Sequence, residues 1–193
     1  MPLPKAAPRK RIHTREIICE GFLRDDGLWD IEGSIKDSKS YSFDNRDRGG
    51  VAAGEPVHWM RARLTVDDDL VVQEAYVTTE AGPHTICGEI APNYEALKGL
   101  PIKAGWRKAV LDKVGGVAGC THITDLLLGP LPVAAYQTVR RNLRGLPAKP
   151  RDPKMRSPVM NTCHALASDS PVAKLEWPEH YTGPTEPGGS QSK

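Results

Sequence analysis

Between Thr14 and Glu80, apolar and polar residues alternate in short runs, the period of half-buried strands. The stretch "REIICEGFLRDDGLWDIEGSIKD" reads as strand, turn, strand. Asp25, Asp26 and Gly27 make the turn, after which Leu28, Trp29 and Ile31 resume the apolar pattern. A polar, glycine-rich loop, "YSFDNRDRGGVAAGEP", leads to a second hairpin, "VHWMRARLTVDDDLVVQEAYVTTE". There Trp59, Leu64, Val66, Val71, Val72, Tyr76 and Val77 supply strand formers, and Asp67 to Asp69 supply the turn. After Pro83 the period becomes helical. "APNYEALKGL" predicts a helix stopped at Gly99. "KAGWRKAVLDKVGG" predicts another, with Trp106, Val110 and Leu111 on one stripe and a stop at Gly115-Gly116. A third helical segment runs from Gly119 to about Leu143, divided by Pro130 and Pro132.

Strands first and helices after give an α+β fold: an antiparallel sheet of about four strands in two hairpins, followed by three or more helices packed on one face. Trp29, Trp59 and Trp106 are expected in the core, with Cys19. Residues 1–12 read as a flexible basic arm, 13–147 as the α+β domain, 148–182 as an extended segment docking on it, and 183–193 as a disordered tail.

Composition narrows the class. The chain has 193 residues, 39% hydrophobic and 26% charged, which suits one soluble domain with irregular ends. Its 26 basic and 24 acidic residues leave a net charge of only +2, and aromatics are 6%; neither suits a nucleic-acid partner. No apolar run approaches the roughly 20 residues that span a bilayer. The basic N-terminus has no apolar stretch behind it, so a cytoplasmic protein without a membrane partner is expected. There is no P-loop, no dinucleotide-binding glycine motif, no GxSxG elbow and no HExxH, which weighs against nucleotide-driven chemistry and serine hydrolysis.

The candidate chemistry centres on "GGVAGCTHITDLL". Cys120 is expected in the first turn of its helix, where unpaired N–H groups favour a thiolate. His122 can hold that thiolate or share a metal with it, and Asp125 lies on the same helical face. Cys87 precedes a predicted helix, and Cys163 is followed by His164. Zinc or ferrous iron is bound by thiolate and imidazole ligands converging from such junctions. A buried cysteine in a glycine-lined turn is the plain alternative. Asp30 is a candidate general base if its strand turns it inward, the alternative being an exposed carboxylate. His13 with Arg15 offers a site for an anionic substrate group, or simply a surface strand start.

The motifs "HTREI", "RDDGLWDIEGSIKDSK", "AGEPVHWMRARLTVDDDL", "GCTHITDLL" and "CHAL" together resemble a bacterial domain-of-unknown-function family over residues 13–181. That resemblance implies no activity, but it implies a place beside genes for catabolism of aromatic or steroid compounds. It puts His13, Asp25, Asp26, Trp29, Asp30, His58, Cys87, Cys120, His122 and Cys163 at family motif positions. The spacing is also similar, more weakly, to the iron–sulfur cluster scaffold fold. In that alignment His58 takes the place of an aspartate, and Cys87 and Cys120 match two of the cysteines. Pro56 stands where the first cysteine would be, and His122 follows its cysteine rather than preceding it.

The leading expectation is a metal-dependent hydrolase, lyase or isomerase acting on a small carboxylate or thioester, with His58, Cys87, Cys120 and His122 around one zinc or iron. Cys120, His122 and Asp30 are the expected catalytic groups, and a small molecule is the expected partner. One alternative is a non-catalytic metal or iron–sulfur handling scaffold. The other is a metal-free enzyme with Cys120 as nucleophile. Its base would then be His122 or His58, with His58 the better placed because a residue two positions along a helix points roughly away from Cys120.

Overall fold

A computed structural model describes residues 2–147, 156–157 and 159–184. Met1–Pro147 forms one compact unit and Ala148–Lys193 a second. The first unit is α+β. Four strands, β1 (His13–Leu23), β2 (Trp29–Lys39), β3 (Pro56–Val66) and β4 (Val72–Ala81), form an antiparallel sheet in the order β1-β2-β3-β4. After the sheet come a 3₁₀ segment (Thr85–Leu97) and the helices α1 (Trp106–Val114), α2 (Thr121–Leu128) and α3 (Pro130–Thr138). The helix expected at "APNYEALKGL" is the end of that 3₁₀ segment, where Pro92 removes a helical donor. The long helical segment is divided at Gly129 and Pro130 as its prolines require.

Strand alternation decides which face is covered. Trp29, Ile31 and Ile35 of β2 pack with Met60, Leu64 and Val66 of β3 and Val72, Ala75 and Val77 of β4. On that face lie Tyr94, Leu97, Val110, Ile123, Leu126, Leu127 and Leu131, all fully buried. Trp106 ties α1 to α2 by donating its indole N–H to the Leu127 carbonyl at 2.6 Å. The buried stripe of α1 is Trp106, Val110 and Val114; Leu111, expected there, is exposed because it sits one position off that stripe. Trp59 also departs from expectation. It pairs with Lys36 on the opposite face and stays 37% exposed, its indole donating to Ser34 Oγ at 3.2 Å beneath the Lys36 ammonium. On that open face Glu32 lies between Arg61 and Arg63, and Ile18, Phe22 and Tyr76 are also exposed there.

Residues 2–12 carry no regular secondary structure and are exposed. In the second unit, 3₁₀ turns at His164–Leu166 and Pro178–His180 flank α4 (Pro171–Glu176), whose N-cap Ser170 accepts from the Ala173 N–H at 3.1 Å. Met160, Ala173 and Trp177 form its core, with Leu166 and Tyr181 against them, and Cys163 is exposed. Residues 148–155 of the expected docking segment, and the expected tail beyond Pro184, lie outside the described residues. No helix among the described residues is long and apolar enough to cross a membrane.

Leu131 fixes α3 on the sheet. Its methyls fill the space above Gly33, where a Cβ would meet them at 3.0 Å. Leu131→Ala is expected to cost about 3 kcal/mol, the usual range for emptying a fully buried leucine site, read as a lower urea midpoint with an unchanged slope.

Candidate metal centre

The centre is a row of charge laid across three strands. Register puts Arg15 of β1 opposite Asp37 of β2, and Asp37 opposite His58 of β3, all on the helix-covered face. Asp37 continues the inward set Trp29, Ile31, Gly33 and Ile35, so strand periodicity buries a carboxylate that is only 3% exposed. A buried carboxylate must be paired. Arg15 does this bidentately, Nε to Oδ1 and a terminal nitrogen to Oδ2, both at 2.8 Å. His13 Nε2 adds a contact to Oδ1 at 3.0 Å. Burial alone would raise the Asp37 carboxyl, but the Arg15 guanidinium and then His13 outweigh it and hold its pKa at about 2.

His122 arrives from α2, and its placement depends on the turn before that helix. Cys120 is the N-cap, with extended φ −105° and ψ 130°, and the helix begins at Thr121. Gly119 is required there by close packing: a Cβ would lie 2.0 Å from the Val114 carbonyl oxygen. The buried Tyr94 hydroxyl accepts the Cys120 N–H at 2.8 Å and so anchors the turn. This geometry overturns the expectation that His122 points away from Cys120. An N-cap residue is not on the helical wheel, and Cys120 Sγ lies 3.9 Å from His122 Nδ1.

The other imidazole nitrogen, His122 Nε2, is 3.5 Å from Asp37 Oδ2, and His58 Nδ1 is 3.3 Å from the same oxygen. The two rings stack with centroids 3.9 Å apart at 29°. Burial and the neighbouring His122 lower the His58 pKa despite Asp37, which favours the neutral ring. One ligand atom from each of Asp37, His58 and His122 lies within 4.8 Å of the others, so the three could hold a metal ion.

Beyond the imidazoles opens a pocket of about 350 Å³, lined by His58, Cys87, Cys120 and His122 together with Met60 and Ile90. Burial pushes the Cys120 thiol up, but the His122 ring and the backbone N–H groups of Ile123 and His122 outweigh it, and its pKa is lowered. Gly82 lets the end of β4 pass beside Cys87, where a Cβ would meet the Cys87 Cβ at 2.8 Å.

The structure therefore brings His13, Arg15, His58, Cys87, Cys120 and His122 to one region, in unequal roles. The converging atoms belong to Asp37, His58 and His122, while Cys87 and Cys120 line the pocket beside them. His13 and Arg15, expected to bind an anionic substrate, hold the protein's own Asp37, and Arg15 also lies 3.5 Å from Asp125. Asp30 is the clear correction. It alternates with Trp29 and Ile31 onto the open face of the sheet, where it accepts from Thr65 Oγ1 at 2.6 Å, and so it does not reach the pocket. Asp37 was the missed residue, and the signal for it was its place at the end of the inward set of β2.

A family profile described as "Protein of unknown function (DUF2889)" matches residues 13–137, the span that carries the sheet, the three helices and every member of this centre. No curated protein and no solved structure matches the chain.

A depressed carboxyl pKa adds stability above the unfolded value, ordinarily 3.8, and that stability is lost as pH falls through about 2. Asp37 should therefore contribute about 2 kcal/mol at neutral pH through this linkage alone. Urea unfolding of the wild type and Asp37→Asn should differ most above pH 4 and converge towards pH 2. A gap that stayed constant down to pH 2 would contradict the pairing.

Proposed function

The chain belongs to the DUF2889 family, and we propose that it is a metal-dependent enzyme holding one zinc or ferrous ion on Asp37 Oδ2, His58 Nδ1 and His122 Nε2. The observation that carries this reading is the separation of those atoms. In a tetrahedral site with bonds of about 2.0–2.1 Å, ligand atoms stand roughly 3.3–3.4 Å apart, and the two nitrogens lie 3.3 and 3.5 Å from Asp37 Oδ2. Two imidazoles and one carboxylate suit zinc or iron, and three protein ligands leave a position for water or substrate.

When bound, such an ion supplies Lewis-acid polarisation of a carbonyl or a lowered pKa for a water molecule. The chain's own residues do the rest. Arg15 and His13 fix the Asp37 carboxylate and leave Oδ2 facing the imidazoles. Cys120 faces the second nitrogen of His122 and fixes that ring's orientation, as outer partners of metal-bound histidine do. Met60, Ile86 and Ile90 give the pocket an apolar wall beside the reacting group. Hydrolysis, lyase or isomerase chemistry on a small acyl compound, a thioester included, fits this arrangement, and catabolism of aromatic or steroid compounds is the setting we propose. A cluster scaffold has less support, because iron–sulfur clusters are held mainly by thiolates.

A second reading rests on a specific observation. Cys120 Sγ, His122 and Asp37 lie in sequence at 3.9 and 3.5 Å, with the thiol pKa lowered, which is the arrangement of a thiol nucleophile, a base and an orienting carboxylate.

Protein purified without a histidine tag should carry close to one equivalent of zinc or iron by mass spectrometry. His58→Ala, His122→Ala and Asp37→Asn should each lower metal affinity by about 100-fold or more, while Cys87→Ser retains the metal. If no metal binds in aerobic or anaerobic preparations supplied with both ions, the metal reading fails. Iodoacetamide inactivation at Cys120, unaffected by chelators, would then favour the thiol reading.

A further inference from the structure

The pocket has a chemical asymmetry that bears on what it accepts. On one side stand the imidazoles of His58 and His122 and the Cys120 thiol; the remaining wall is largely Met60, Pro83, Ile86 and Ile90. Among the described residues, no Lys, Arg, Asp or Glu lines it. The guanidinium of Arg15 is engaged with Asp37 and Asp125, and Asp37 faces the imidazoles rather than the cavity. A free carboxylate or phosphate drawn against the apolar wall, away from the histidines, would lose its water with no lysine or arginine there to replace it. Ile86 stands at the mouth with 65% of its surface exposed, an apolar side chain facing water where a ligand would enter.

We infer that the pocket binds an uncharged, largely apolar small molecule, a ring or an acyl chain, with its single carbonyl oxygen at the imidazole side. This rests on the pocket being the functional site proposed above, and it narrows the acyl class by removing substrates that carry a free carboxylate on the part lying against the apolar wall. The cavity of about 350 Å³ is roughly twice the ~150 Å³ that takes up benzene in a dry protein cavity. That leaves room for one ring with a short chain. A thioester on a nucleotide-bearing carrier would place only its acyl group inside and leave the charged carrier outside.

Cys120 is a built-in reporter, because a thiol probe reads the pocket whether or not a metal is present. Methanethiosulfonates form a mixed disulfide with a thiol and release methanesulfinate. Benzyl, 2-(trimethylammonium)ethyl and 2-sulfonatoethyl reagents would be applied to chelator-treated full-length protein. Labelling of Cys120 would be read by peptide mass mapping and normalised, reagent by reagent, to the exposed Cys163. The benzyl reagent should label Cys120 at least about 10-fold faster than either charged reagent, the preference that burying one ring supplies. Ile86→Arg, at an exposed position that spares the fold, should raise sulfonate labelling by about 5-fold by placing a cation at the mouth. Equal normalised rates for all three reagents, or a charged reagent labelling fastest in the wild type, would overturn the inference. A benzyl preference in protein that binds no metal would sustain it while the metal reading fell.

Discussion

A carboxylate taken out of water on the covered face of a sheet governs the rest of this structure. Asp37 is buried by the alternation of β2, and the cost of burying an unpaired charge forces the surroundings to answer it. Arg15 answers from one side and His13 from just beyond the end of the row. Oδ1 is engaged by both, and Oδ2, which also accepts from Arg15, is the oxygen that His58 and His122 approach. The donor set of the proposed centre therefore follows from pairing a charge, and the orientation of each ligand from strand register.

Register and a helix start do different jobs here. Neighbouring strands bring Arg15, Asp37 and His58 into line without any loop having to be held in place. The fourth member, His122, comes from an element more than sixty residues away, and its position rests on Gly119 packed against the Val114 carbonyl and on Tyr94 anchoring Cys120. Sites built on strands and helices are more rigid than sites built on loops. The mobile-looking "GGVAGC" stretch is accordingly tied down by a buried tyrosine.

The sheet and the helices behind it were legible in the sequence because period-two and helical patterns change at Pro83 and breaks fall at Gly99, Gly115 and Pro130. Trp59 was not legible as an exposed residue, since its bulk argues for the core and only pairing with Lys36 shows which face it takes. The same ambiguity hid Asp37. Asp30 and Asp37 are both strand aspartates, separated by an odd number of positions, so they face opposite sides of the sheet. Extending the inward set from Trp29 by four steps would have chosen between them. His122 was readable beside Cys120, and His58 through its motif and the spacing likeness to the cluster scaffold. Their shared oxygen was not, because tertiary contact across β2 and α2 leaves no local spacing.

The strand that carries His13 and Arg15 is the edge of the sheet, with one side of its backbone unpaired within the sheet. Edge strands exchange their amides through openings that cost less than global unfolding. Here such an opening withdraws the guanidinium from Asp37, so β1 protection and the basicity of that carboxylate belong to a single equilibrium. Any cation that settles on Asp37 takes over part of the charge balance Arg15 supplies, and amide exchange along β1 thereby becomes a remote gauge of occupancy at a centre that none of its amides touches.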